Sequence, residues 1–316
     1  MNKVIIQIPC YNEQDTVGIT LKSLPRSLPG IDRIEWLIIN DGSTDKTVEV
    51  AKSGGVDHIV NLNKNQGLAK AFMAGLDVCL RLGADIIVNT DADNQYSADD
   101  IPKLIEPILK REAEIVIGER PIDEIKHFST QKRLLQKLGS WVVRMVSKTN
   151  IPDAPSGFRA ISRNAAMQLN VFNEYTYTLE MIIQAGQKGI LVQSIPIRTN
   201  TPLRPSRLVT SISDYIRQSA LTIMLIFMTY RPLRFFVLLG SIPFFVGFLL
   251  CLRWTILFLG GPKSSSLPSL ILAAILMIMG FLLWIFGLVA DLMSVNRKIL
   301  EDIQLRIRQS EYKSRE

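Results

Sequence analysis

The sequence predicts an α/β protein, a doubly wound and mostly parallel sheet followed by interfacial helices and a two-helix transmembrane hairpin. Three observations carry this reading. Short β-rich apolar runs alternate with helical periodicity over the first 120 residues. Each apolar run ends in a polar or glycine-containing segment. Two uncharged stretches of bilayer length lie in the last third of the chain.

The apolar runs are Val4–Ile8, Trp36–Ile39, Ile59–Leu62, Ile86–Asn89 and Ile115–Ile117. Between them, Asp15–Leu24, Lys46–Ser53, Gly67–Leu82 and Ala98–Lys110 have helix-like spacing, with Ser43-Thr44-Asp45 and Ser97-Ala98-Asp99-Asp100 as helix starts. Strands joined through helices pair in parallel, and such sheets bind ligands beyond the carboxyl ends of their strands. Functional residues are therefore expected just after the strands.

The pattern changes near Leu208. Leu208, Ile212, Tyr215, Ile216 and Ile223 recur at helical spacing, with Thr210, Asp214, Arg217 and Gln218 off the stripe. That amphipathic pattern predicts helices lying in the membrane interface over 208–234. Phe235–Leu252 is then 18 residues without a charge, and Leu270–Ala290 is 21 more. They predict a hairpin over 235–292 with spans at 235–258 and 268–291, and Arg253-Trp254 as an anchoring pair at a headgroup boundary.

Charge is distributed unevenly. Residues 1–200 hold 23 Lys/Arg and 23 Asp/Glu, whereas 201–316 hold 13 against 6 and supply the whole net charge of +7. A nucleic-acid binder concentrates positive charge on its folded domain. Here the excess surrounds the apolar stretches, which points to membrane lipids and away from nucleic acid. Arg204, Arg207, Arg217, Arg231 and Arg234 precede the first span, and the 293–316 tail is basic, while the connecting loop has only Lys263. The positive-inside rule places both termini in the cytoplasm. The chain opens on Lys3-Val4-Ile5-Ile6 without a signal-peptide pattern, so the domain 1–207 is expected in the cytosol. Cys10, Cys79 and Cys251 are scattered, which predicts neither a disulfide framework nor a zinc site.

The strongest chemical signal is Thr90-Asp91-Ala92-Asp93-Asn94-Gln95, directly after the fourth apolar run. Two carboxylates one residue apart can share Mg2+ or Mn2+, which keeps waters and takes its remaining ligands from substrate phosphates. Alone, such a pair is more often a solvated turn. It is accompanied by Ile8-Pro9-Cys10-Tyr11-Asn12-Glu13 after the first run and Asn40-Asp41-Gly42-Ser43-Thr44-Asp45 after the second. Asn65-Gln66-Gly67-Leu68 opens the helix after the third. Each segment singly is ordinary turn and capping chemistry. In this order they outline one crevice for a nucleotide.

On these residues the sequence resembles the family 2 glycosyltransferases of the GT-A fold, in the branch of dolichol-phosphate mannose synthases and polyprenyl-phosphate glycosyltransferases. The resemblance covers about residues 3–208. It implies that Pro9, Tyr11, Glu13 and Asp41 hold the nucleoside, Asp41 reading the base. It implies that Asp91, Asp93 and Gln95 hold the metal and the donor diphosphate. Asp153-Ala154-Pro155-Ser156-Gly157-Phe158-Arg159 is similar to the family's Asp-Pro-x-Ser-Gly-Phe segment, with Ala154 in place of the first proline. Arg120 and Arg133 match the arginines that bind the acceptor phosphate, and Lys137 stands where relatives often have serine. Ser156, Arg159 and Arg207 join that acceptor set. Arg204-Pro205-Ser206-Arg207-Leu208 resembles the Arg…Ser-Lys-Leu motif of a loop that closes over the donor, which places Arg204 with the nucleotide-sugar.

The expected reaction is in-line attack by a polyprenyl-phosphate oxygen on the anomeric carbon, with inversion. Asp91, Asp93, Arg120 and Arg133 are its expected catalytic residues. Arginine suits phosphate oxygens through its planar fork. The alternative within enzymes is a saccharide or diacylglycerol hydroxyl acceptor, for which Asp93 or Glu180 would be the base. A silent scaffolding module fits poorly with the intact carboxylate pair and arginines, and no G-x-G-x-x-G follows the first run, which excludes a dehydrogenase. UDP-glucose, UDP-N-acetylhexosamine and GDP-mannose stay open as donors, as do undecaprenyl and dolichyl lipids. The oligomeric state is unread, and a homo-oligomer is compatible with the sequence.

Overall fold

The computed structural model describes residues 2–121, 143–145, 147, 149–171, 177–201, 221, 224–225, 228–260 and 267–313. Arg133, Lys137, Arg204, Arg207 and most of the expected interfacial segment lie outside these residues. The chain divides into two compact units, Met1–Ala220 with Gln304–Glu316, and Leu221–Ile303.

The first unit is built on seven strands: β1 (Lys3–Cys10), β2 (Arg33–Asn40), β3 (His58–Asn61), β4 (Ile86–Asn89), β5 (Ile115–Glu119), β6 (Arg159–Ser162) and β7 (Val192–Pro196). Their order is β3-β2-β1-β4-β6-β5-β7, and all neighbours are parallel except β6, which runs antiparallel to both β4 and β5. The expected mostly parallel sheet is present. β6 and β7 are additions to it, and neither was evident as a strand in the sequence.

β1 and β2 have no exposed residue beyond their first positions. Central parallel strands are covered on both faces by their crossover helices, so they read as continuous apolar runs. On one face Ile6, Ile8, Ile38 and Val88 join Val17 and Leu21 of α1 (Val17–Ser23) and Leu104 and Ile105 of α4 (Ile101–Leu109). α2 (Thr47–Ser53) lies beside α1, and α3 (Leu68–Arg81) packs on β1 and β2 through the fully buried Phe72 and Leu76. Each such side chain contributes about 1.5–3 kcal/mol by leaving water. The expected helix Ala98–Lys110 begins as a 3₁₀ turn, Ala98–Asp100, before α4. α5 (Arg163–Gln168), α6 (Tyr177–Lys188) and the end of α8 also belong to this unit.

Among the described residues, two helices are long and apolar enough to cross a membrane, α7 (Pro232–Gly260) and α8 (Leu267–Lys313). α8 carries the 293–313 segment as unbroken helix. Its 47 residues make it about 70 Å long at 1.5 Å per residue. The hairpin is held by small residues seven apart. A Cβ on Gly240 would lie 2.7 Å from the Gly280 carbonyl oxygen, one on Gly280 2.5 Å from that of Gly240, and one on Gly247 2.7 Å from that of Ala273. The backbones themselves are in contact, and the Trp284 indole N–H donates to the Val237 carbonyl at 3.2 Å. In lipid, where no hydrophobic force joins helices, this close packing is what holds them.

Gly280→Leu should therefore weaken the hairpin by roughly 1–3 kcal/mol, the usual cost of overpacking. Thermal unfolding of the full-length protein in detergent reads this directly, and an unchanged midpoint would show that the helices separate without loss.

Candidate active site

Strand order reverses between β1 and β4, where an open α/β sheet forms its crevice. Three loops knit one wall of it. After β1 and β2, the Asn12 N–H donates to Ser43 Oγ (3.0 Å), the Thr44 N–H to Asn12 Oδ1 (2.8 Å), and the Glu13 N–H to Thr47 Oγ1 (2.8 Å). Asn12 takes a left-handed conformation, φ 55°, which asparagine tolerates better than most residues. Asp41 is buried, and its two oxygens accept from the Gln66 and Gly67 N–H groups at 2.8 and 2.9 Å. Those amides open α3, whose positive end favours an anion there. Gly42 lets the loops meet: at φ 71° a Cβ would stand 2.6 Å from the Lys64 carbonyl carbon. Pro9 is buried in β1 and Glu13 is half-buried, its Oε2 accepting from the Thr16 hydroxyl, while the Tyr11 ring is exposed.

β4 delivers Asp91 and Asp93 to the crevice. The loop turns at Asn94, φ 56°, with the Gln95 N–H donating to Asp93 Oδ1 at 3.1 Å. Thr20 holds the Ala92 carbonyl from one side (2.8 Å). Asn200 holds the other side, donating its N–H to the Gln95 carbonyl (2.8 Å) and its Nδ2 to the carbonyls of Asn94 (2.9 Å) and Tyr96 (3.3 Å). Burial, and then the charge of Asp93, push the Asp91 carboxyl up to about 7, against the pull of Arg120. Among the described residues no group of three or more His, Cys, Asp or Glu encloses a metal. Two hard carboxylates short of counter-charge fit a divalent cation that takes its other ligands from water and a substrate diphosphate.

The opposite wall is the loop before β6. Gly157 donates its N–H to the Tyr96 hydroxyl (3.0 Å) and its carbonyl accepts from Asn89 Nδ2 (2.8 Å). A Cβ at Gly157 would lie 3.1 Å from both Asp91 carboxylate oxygens, so the glycine lets the carboxylate come closer than most side chains would. Ser156 Oγ is buried with no hydrogen-bond partner among the described residues.

The arginines divide. Arg120 grips Asp153 with Nε (2.7 Å) and Nη2 (2.9 Å), and its side chain keeps 11 % exposure. Arg159 was expected at the acceptor phosphate, and the structure corrects its placement. It is fully buried, donating to the carbonyls of Ser156 (2.7 Å), Ala154 (2.7 Å) and Thr178 (2.9 Å), and burial pulls its pKa down to about 10. It braces the loop from behind. Glu180 is also buried, accepting from Gln184 Nε2 at 3.3 Å.

The pattern of the family described as Glycosyl transferase family 2 matches residues 5–169. The chain belongs to this family. It is 30% identical over 222 residues to UDP-N-acetylglucosamine--dolichyl-phosphate N-acetylglucosaminyltransferase of Methanococcus voltae, covering 62% of this chain and 85% of that one. It is 27% identical over 205 residues to undecaprenyl-phosphate mannosyltransferase of Micrococcus luteus, covering 62% and 82%. Glucosyl-3-phosphoglycerate synthase from Mycobacterium tuberculosis, in complex with Mn2+, UDP and glucosyl-3-phosphoglycerate, shares the fold. Its TM-score is 0.53 at 18% identity, over 72% of this chain and 80% of that one. The GT-A fold expected from the sequence is thus the fold of this family 2 domain.

Asp153→Ala would strand the Arg120 charge in a site that is nearly closed to water. The loss should be about 3–5 kcal/mol, as for other buried pairs broken on one side, against a much smaller loss for Glu106→Ala at the exposed Lys110 pair. Thermal unfolding of both variants in detergent compares them.

Proposed function

We propose that this glycosyltransferase moves a hexose from a nucleotide-sugar to the phosphate of a polyprenyl lipid at the cytoplasmic membrane face, with inversion. The observation that carries this reading is the charge arrangement around Asp91. Asp93 and Arg120 are both within electrostatic reach of it, in a chain with two bilayer-length apolar helices. The relatives named above act on dolichyl and undecaprenyl phosphates by their names, which supports a lipid-phosphate acceptor. The excess positive charge of residues 201–316 supports cytoplasmic termini.

In this proposal Pro9, Tyr11, Glu13, Asp41 and Arg204 take the nucleotide. Asp91, Asp93 and Gln95 would hold Mg2+ or Mn2+, which when bound supplies positive charge to the departing diphosphate. Arg120, Arg133, Lys137, Ser156 and Arg207 take the acceptor phosphate. Arg159 acts one layer back, since its donors hold the carbonyls of Ser156 and Ala154. The unpartnered Ser156 hydroxyl is a ready donor for a phosphate oxygen. A phosphate monoester has a second pKa near 6, so the acceptor is already ionised at neutral pH and needs no base. The chain's contribution is orientation and charge stabilisation.

A donor panel tests the reading. Full-length protein, a short polyprenyl phosphate, Mg2+ or Mn2+ and radiolabelled UDP-glucose, UDP-N-acetylglucosamine or GDP-mannose should give an acid-labile glycosyl lipid phosphate with one donor. Asp91→Ala should lower turnover about a thousandfold or more, the effect of losing several kcal/mol of charge stabilisation. Full activity in excess EDTA, or transfer to a hydroxyl lipid instead, would sink the proposal.

The acceptor assignment has a separate check. Arg133→Ala and Arg207→Ala should each cost about 1.5–3 kcal/mol of a charge-assisted contact, seen as a raised KM for the lipid. Calorimetry should show nucleotide affinity unchanged. If nucleotide affinity collapses while the lipid KM stays put, these arginines belong to the donor.

A further inference from the structure

Tyr96 follows the Asp91–Gln95 loop and is buried. Its ring stacks on Phe158, centroids 5.1 Å apart and planes 10° from parallel. Its hydroxyl accepts the Gly157 N–H at 3.0 Å. The Asp91 carboxylate lies within electrostatic reach of that hydroxyl. Gly157 is held again through its carbonyl by Asn89 Nδ2, and Asn89 by Gln7 Nε2 at 2.9 Å. The open face of the glycine is thereby held against Asp91, where a Cβ would stand 3.1 Å from either carboxylate oxygen.

We propose that Tyr96 is a positioning residue whose hydroxyl, by accepting from the Gly157 N–H, fixes the backbone that lies against Asp91 and so sets the orientation in which Asp91 meets a divalent cation. The same hydroxyl ties that orientation to the Ser156–Phe158 loop, so the donor-side carboxylate and the acceptor-side loop move as one piece. This rests on the proposed use of Asp91 as a cation ligand. Partners that orient a ligand from behind are worth about 10–100-fold in metal affinity.

The test is Mn2+ binding to the full-length protein in detergent, read from the electron paramagnetic resonance signal of unbound Mn2+, with UDP and separately with GDP present. Wild type should bind and Asp91→Asn should not. Tyr96→Phe keeps the stacked ring and should bind Mn2+ about tenfold more weakly, with the KM for Mn2+ in turnover rising more than kcat falls. Gly157→Ala puts a methyl against the carboxylate without touching the phenol, and should weaken Mn2+ binding similarly. Wild-type Mn2+ affinity in Tyr96→Phe, even with a lowered melting temperature, would overturn the inference, as would wild-type affinity in Gly157→Ala. If wild type itself binds no Mn2+ with either nucleotide, the cation reading of Asp91 fails first.

Discussion

Asp91 and Asp93 repel each other in a crevice that excludes much of the water, and the protein relieves this only in part. Among the described residues Arg120 exerts the larger positive pull on Asp91, but its fork is committed to Asp153. Arg159 is also near, and its donors are committed to carbonyls. Among the described residues the two carboxylates are left short of counter-charge, an arrangement that suits a divalent cation. Much of the local architecture keeps that deficit in place.

The means are polar groups buried where a core would normally be apolar. Gln7 and Asn89 are fully buried on adjacent central strands, and they hand a hydrogen bond across the sheet to the Gly157 carbonyl. Buried polar chains of this kind are costly if any member is unpaired and specific if all are paired. Arg159 does the same from the far side by holding three carbonyls of neighbouring segments. The loop carrying Ser156 is thus fixed by groups that never face the crevice, and the one polar side-chain atom left over in it is the Ser156 hydroxyl.

How much of this was legible follows from where the information sits. β1 to β5 showed in the sequence because strands covered on both faces must be apolar along their length. β6 did not, because it has only four residues, begins with Arg159, and owes its place to β4 and β5 on either side. β7 is an edge strand with half-exposed residues. Asp41, Asp91 and Asp93 were legible as candidates because ligand groups gather after strands. Tyr96 and Asn200 could not, since their roles depend on contacts 61 and 106 positions apart in sequence. Arg159 was misplaced because a charged side chain in a phosphate-binding motif does not declare whether it faces outward or is buried.

The insertion of β6 between β4 and β5 also has a consequence in time. Asn89 closes β4, yet its antiparallel neighbour is complete only at Ser162. A ribosome adding about 5–20 residues per second takes roughly 4–15 s to make that stretch. Through that interval one edge of β4 has no strand beside it, on the side where the carboxylate loop will form. An open apolar edge recruits other strands, so the growing chain is most exposed to mispairing after most of its sheet has been synthesised. The loop around Gly157 leaves the ribosome just ahead of β6, and the strand that seals the edge brings the wall of the crevice with it.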